Sequence, residues 1–145
     1  MLFNTKYIRC NRAFIDSPEV QQLMNIEPHG GEEPLLLKLA YKWEEKSPKP
    51  EDRKIIIFDQ FEEFFIWIKR QQELTYLFLH IGHLLESRLN IDLIIVVRDE
   101  FFSQLQDLEA FVPNLLEEQI RVKHLGFRAT KAVVKKNDGT CQDDC

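Results

Sequence analysis

Two short apolar runs, each stopping on a charge, constrain this chain more than any other feature. Ile55–Phe58 reads "IIIF" and stops on Asp59, and Leu93–Val97 reads "LIIVV" and stops on Arg98. Runs of β-branched and aromatic residues without polar alternation read as strands buried on both faces, the habit of parallel sheets sheathed by helices. Lys54–Phe58 and Ile91–Val97 are therefore expected as parallel strands. A carboxylate at the end of a buried strand is costly unless a cation or a donor compensates it. Ligands of open α/β sheets sit outside the carboxyl ends of the strands. Asp59 and Arg98 would emerge together at such an edge, which becomes the place to look for chemistry.

The surrounding sequence supplies the helices that such strands need. Ser17 is placed to cap a helix with Pro18 at its first position and Glu19 in its first turn. Leu36, Leu39, Ala40 and Trp43 share one face of a helix expected over Leu35–Lys46. Phe61, Phe64, Phe65 and Ile68 form a helical stripe after Asp59, and Leu77, Phe78, Ile81, Leu84 and Leu85 form a second. A shorter amphipathic helix is expected in "EFFSQLQDLEAF". Strands are also expected at Lys6–Asn11 and, from its alternation, at Gln119–Leu125. A last helix is expected in "RATKAVVKK", ahead of a polar tail. Strand and helix alternate along the chain, which predicts an α/β fold with a mostly parallel sheet in a three-layer αβα arrangement. Residues 1–136 are expected to form one domain, and 137–145 an unstructured tail.

Composition excludes several classes. The 145 residues carry a net charge of −5 without a basic tract, which lacks the electrostatic footprint of nucleic-acid binding and disfavours an anionic membrane surface. No apolar run approaches the ~20 residues of a membrane span. "MLFNTKYIRC" is too short and interrupted for a signal sequence. Three cysteines, Cys10, Cys141 and Cys145, make an odd count that fits a reducing, cytoplasmic compartment. The spacing of the last two matches no zinc pattern.

The run into Asp59 has the form of a Walker B segment, in which the aspartate directs a magnesium ion that bridges phosphate oxygens. Glu62 or Glu63 would orient an attacking water, and Arg98 would sense a terminal phosphate through its guanidinium fork. Each residue also has a plainer role. Asp59 could cap the helix beginning at Phe61, with Glu62 and Glu63 favourable in its first turn. Arg98 could pair with Asp99, Glu100 or a strand-end carbonyl.

"IIIFDQFEEFF", with the later "IDLIIVVRDEFFSQL" and "FVPNLLEEQIRVKHLGFRATKAV", resembles the STAND-class P-loop NTPases, specifically the novel STAND group. The likeness runs from about Lys54 to Val134. It implies Asp59 as the magnesium-directing acid, Glu62 as the water-orienting carboxylate with Glu63 as the fallback, and Arg98 as the phosphate-sensing residue. It implies ATP and Mg2+ as cofactors of a complete homologue, slow ATP or GTP hydrolysis, and a role in switching the assembly of signalling or defence complexes.

One departure is large. The phosphates of a P-loop NTPase lie in a glycine-rich loop followed by Lys and Ser or Thr, and no Gly-Lys-Ser or Gly-Lys-Thr occurs in this sequence. Gly30 and Gly31 are followed by two glutamates, which would repel phosphate. The chain therefore reads as a fragment of a switch ATPase that begins after the phosphate loop, and neither ATP nor Mg2+ is expected to bind tightly to it alone. Its partners would be other proteins or the remaining parts of its own NTPase domain. The alternative is a non-catalytic α/β interaction module that presents the Phe-rich helix around Phe64–Ile68.

Overall fold

The strand that ends on Asp59 lies at the centre of a three-stranded parallel sheet. The structure is a computed structural model that describes residues 3–29, 33–42 and 52–122. β1 (Phe3–Arg9) pairs with β2 (Arg53–Asp59), and β2 pairs with β3 (Ile91–Ile95). The parallel sense of all three agrees with the mostly parallel sheet expected from the alternation of strand and helix. β1 starts and stops earlier than the Lys6–Asn11 expected for it.

Between β1 and β2 lie α1 (Arg12–Ile15), α2 (Pro18–Asn25) and α3 (Leu35–Lys42). α4 (Glu62–Trp67) and α5 (Gln71–Glu86) connect β2 to β3, and a 3-10 turn at Asp99–Phe101 leads into α6 (Phe102–Glu109). Ser17 caps α2 as expected, its hydroxyl accepting from the Val20 N–H. α1 was not anticipated. Asn11 caps it by accepting from the Phe14 N–H, a short-range device easily hidden behind a strand.

Both crossovers step across the sheet in the same direction. Right-handed crossovers then place all their helices on one face. The core agrees: Ile8, Ile56 and Phe58 pack with buried residues of every helix, whereas Ile55, Ile57, Ile94 and Val96 take no part. Burial alternates strictly along β2, with Lys54, Ile56 and Phe58 buried and Ile55, Ile57 and Asp59 only half-buried. Lys54 is sequestered on the covered face, where its Nζ donates to the Asp52 carbonyl at 2.9 Å.

The expectation that both faces of these strands are buried is therefore corrected. Ile94 and Val96 remain 46% exposed and Tyr7 57%. Among the described residues there is one helical layer, and the second layer of a three-layer αβα arrangement is not among them. The lack of polar alternation misled because apolar residues on a sheet face do not by themselves supply the layer that would cover them.

Two more expectations change. Residues 119–122 form no strand and make no ladder with β3, and Ile120 and Val122 stand exposed. Positions 123–125 of that expected strand, the last helix and the tail lie outside the described residues. Nor is the Phe64–Ile68 segment a presented surface. Phe64 and Ile68 are core residues, and only Trp67 is substantially exposed. Their helical stripe faces inward because Phe61 sits at the centre of a ring cluster with Phe58, Phe64 and Phe65 at centroid distances of 5.9, 5.1 and 5.7 Å.

No helix among the described residues is long and apolar enough to cross a membrane.

Candidate functional site

The backbone around Asp59 is pinned from both sides. On the β1 side, the Cys10 N–H donates to the Asp59 carbonyl at 2.9 Å. On the β3 side, Val96 donates to the Phe58 carbonyl at 2.8 Å and accepts from the Phe61 N–H at 3.0 Å. The ladder thus runs past the regular strands and fixes Asp59, Gln60 and Phe61 before α4 begins. Phe61, fully buried, anchors the turn in the core.

Gln60 occupies the left-handed region, with φ of 57°. A non-glycine residue there costs roughly 1 kcal/mol or more, and such residues persist where surrounding structure holds them. The Gln60 N–H donates to its neighbour's carboxylate, at 3.0 Å to Asp59 Oδ1. The other carboxylate oxygen, Oδ2, accepts from the hydroxyl of Tyr7 on β1. Asp59 carboxylate and Tyr7 phenol lie on the open face of the sheet. The phenol is held above its usual range chiefly by that hydrogen bond to Asp59. The capping role considered for Asp59 is not the one found. α4 begins after Phe61 without a side-chain cap.

Glu62 and Arg98 come together. Glu62 is 5% exposed, and its Oε1 accepts from Arg98 Nε at 3.1 Å. Its other oxygen faces the Arg98 backbone N–H at 3.4 Å, the longer and weaker contact. Arg98 also pairs with Glu100 at 3.1 Å and lies over the ring of Phe101. The Glu100 pairing is one of the plainer roles weighed for Arg98. In this geometry Glu62 is the partner that anchors Arg98. Glu63 is tied along its own helix instead, accepting from Trp67 Nε1 at 2.6 Å. Arg12 stacks over the same Trp67 ring.

No hydrogen bond or ion pair among the described residues joins Asp59 directly to Glu62, Glu63 or Arg98. Their fields still converge. Burial pushes the Cys10 thiol well above its ordinary range, and the negative charges of Asp59, Glu62 and Glu63 push it further. A thiol so placed is a buried structural group and not a nucleophile.

Among the described residues, no group of three or more His, Cys, Asp or Glu side chains gathers to hold a metal ion. A single half-exposed carboxylate such as Asp59 is not a cage.

Sequence reasoning missed Tyr7 and Arg9. Arg9 is the register partner of Asp59, and its Nε donates to Gln60 Oε1 at 2.9 Å. The signal was available in principle. Tyr7 and Arg9 are two apart in β1, and a parallel register with β2 puts both beside Asp59 on one face.

Compared with protein-family models, with curated proteins and with solved structures, the chain gives no match to any of the three.

Proposed function

We propose that this chain is the Walker B-bearing part of a STAND-type nucleotide-dependent switch ATPase that acts in the cytoplasm, with a partial P-loop NTPase core. The observation that carries the reading is topological. Asp59 and Arg98 leave the same carboxyl edge of adjacent parallel strands, β2 and β3, and Glu62 links the two strand ends through Arg98. Asp59 would direct the magnesium ion. Arg98 would stand at the terminal phosphate, held by Glu62, with Glu63 as the remaining carboxylate of the motif.

When bound with nucleotide, magnesium would neutralise charge developing on the phosphate oxygens. The chain's own contribution is to hold Asp59 still. Tyr7, the Gln60 N–H and the ladder bonds on both sides do that. The phosphate loop is not in this sequence. On this reading a strand carrying it would add to the outer edge of β3, which has no ladder partner among the described residues.

Two experiments test the reading. Calorimetric titration of this chain with ATP and magnesium should show no binding at micromolar protein, because most phosphate affinity resides in the absent loop. A low-micromolar dissociation constant would mean the site is built otherwise. The natural reading frame should encode, ahead of residue 1, a strand leading to a glycine-rich loop that ends in Lys and Ser or Thr. The longer product should hydrolyse ATP, and Asp59→Ala should abolish that hydrolysis. Hydrolysis indifferent to Asp59, or a frame without the loop, sinks the proposal.

The open sheet face favours a second reading, a non-catalytic α/β interaction module. Tyr7, Ile94 and Val96 would be its contact surface, in place of the buried Phe-rich helix.

A further inference from the structure

Two arginines stand at the carboxyl edge of the sheet, and their charges are answered differently. Arg98 is held by two carboxylates, Glu62 and Glu100, each at 3.1 Å, and rests on Phe101. Arg9, at the end of β1, is exposed. Its Nε donates to a neutral amide oxygen, Gln60 Oε1. Among the described residues no carboxylate lies within ion-pair distance of it.

We propose that Arg9 is a second phosphate-binding guanidinium of this edge, working beside Asp59 on a polyphosphate ligand. The proposal rests on the reading of Asp59 as the magnesium-directing acid. Arg9 and Asp59 are register partners on adjacent strands. Gln60 holds both of them at once. Its backbone N–H takes Asp59 Oδ1 and its side-chain oxygen takes Arg9 Nε. The left-handed backbone of Gln60 permits that double contact, and strain of this kind collects where a side chain must be aimed.

Engaging Nε fixes the plane of the guanidinium and leaves both Nη groups without a hydrogen-bond partner among the described residues. Two parallel N–H donors in a rigid fork match two phosphate oxygens. Asp59 supplies the oxygen for a hydrated divalent cation, and the adjacent fork supplies the positive charge for the phosphate bound to that cation. Arg98 differs in that one of its Nη groups is already held by Glu100 and its charge is answered by Glu62. Tyr7 and Gln60 are positioning residues. They touch Asp59 and Arg9 and not the ligand.

The test follows the arginine side-chain Nε–Hε resonances of the full 145-residue chain by NMR. Inorganic pyrophosphate is titrated into the millimolar range, with and without magnesium chloride. The Arg9 resonance should move further than that of Arg98, whose guanidinium is already paired with Glu62 and Glu100. Arg9→Ala should weaken binding about tenfold, the worth of one charge-assisted contact. Arg9→Lys should fall between, since it keeps the charge and loses the fork. Arg9 is exposed, and amide dispersion checks that each variant is folded.

Movement of Arg98 with Arg9 silent, or binding unchanged in Arg9→Ala, overturns the proposal. Asp59→Asn separates it from the reading beneath it. If that variant loses the magnesium dependence while Arg9 stays silent, Asp59 keeps its role and Arg9 loses its own. If Arg9→Ala weakens binding and Asp59→Asn leaves the magnesium dependence intact, Arg9 stands as an anion site and the role given to Asp59 falls. No shift at either arginine overturns the proposal, and the reading of Asp59 then stands or falls on the hydrolysis assay of the longer product.

Discussion

Ile56 and Ile57 are adjacent in β2, carry the same side chain and live in different surroundings. Ile56 is fully buried among the rings and leucines of the helices, and Ile57 lies half-exposed on the other face. The difference is not written in either residue. It follows from two crossovers that travel the same way across the sheet and deposit α1 to α5 on one side. The covered face holds the apolar burial that stabilises the domain. The open face and its carboxyl edge hold Tyr7, Arg9, Asp59 and Gln60, joined by hydrogen bonds that water can reach. Stability and candidate chemistry are thus separated by the thickness of one sheet, and mutations on the two sides should differ in size and in kind.

The largest effect should come from Phe61→Ala. Phe61 is fully buried and touches the rings of Phe58, Phe64 and Phe65. Truncation leaves a cavity where β2 meets α4 and should cost about 3–5 kcal/mol. Urea denaturation measures it. A loss under about 1.5 kcal/mol would mean that the turn after Asp59 is held by its backbone bonds alone.

What was legible in the sequence divides along the same line. The parallel sense of the sheet could be read, because buried apolar strands alternate with helical stripes along the chain. The inward stripe from Phe61 to Ile68 could be read as a helix but not as to which way it would face, since an apolar stripe looks the same packed or presented. Asp59, Glu62 and Arg98 could be placed at one edge because each follows directly on a strand or its turn. The Glu62–Arg98 pair and the Tyr7–Asp59 bond could not be assigned in advance. They depend on how far each side chain reaches between neighbouring strands and turns, which spacing along one strand does not encode. The openness of one face was hidden for a further reason. Burial is a property of what lies above a residue, and the covering layer is far away in the chain.

Acid should act on the covered side. His80 is buried, and its Nε2–H donates to the Ile26 carbonyl at 2.6 Å. Nδ1 is buried without a hydrogen-bond partner among the described residues. Burial lowers the pKa of the ring, the Ile26 and Leu23 carbonyls partly offset that, and the charge of His83 lowers it again. The folded state therefore takes up its proton at lower pH than the unfolded chain, whose histidine titrates near 6.5. Stability is complete above that value and is lost as pH falls below it, by up to about 1.4 kcal/mol per pH unit for this one group. Denaturation midpoints from about pH 7.5 to 5 should show the decline, and His80→Gln, which keeps a donor for Ile26, should flatten it. An unchanged slope in that variant assigns the decline to other groups.

Asp59→Ala moves the comparison to the edge. The carboxylate accepts from Tyr7 and from the Gln60 N–H, and it is half-exposed, so water replaces it at both donors. The expected loss is on the order of 1 kcal/mol. Chemical denaturation that finds more than about 3 kcal/mol would reveal a buried, structurally paired aspartate, and the edge would then belong to the stabilising side of the molecule.

The smallest effect should come from Ile94→Thr on the open face. Ile94 is 46% exposed and lies outside the core cluster. Threonine keeps the β-branch that suits a strand, and its hydroxyl would point into water, where it needs no partner in the protein. Stability should change by no more than about 0.5 kcal/mol. The solution behaviour should change more. Ile94 and Val96 flank the outer edge of β3, which has no ladder partner among the described residues. An unpaired edge beside apolar side chains is a template for association. Light scattering on heating should therefore begin later in Ile94→Thr than in the wild type, at nearly equal denaturation midpoints. A stability loss above about 1.5 kcal/mol would mean that Ile94 is packed in solution, which would erase the difference between Ile56 and Ile57 from which the comparison begins.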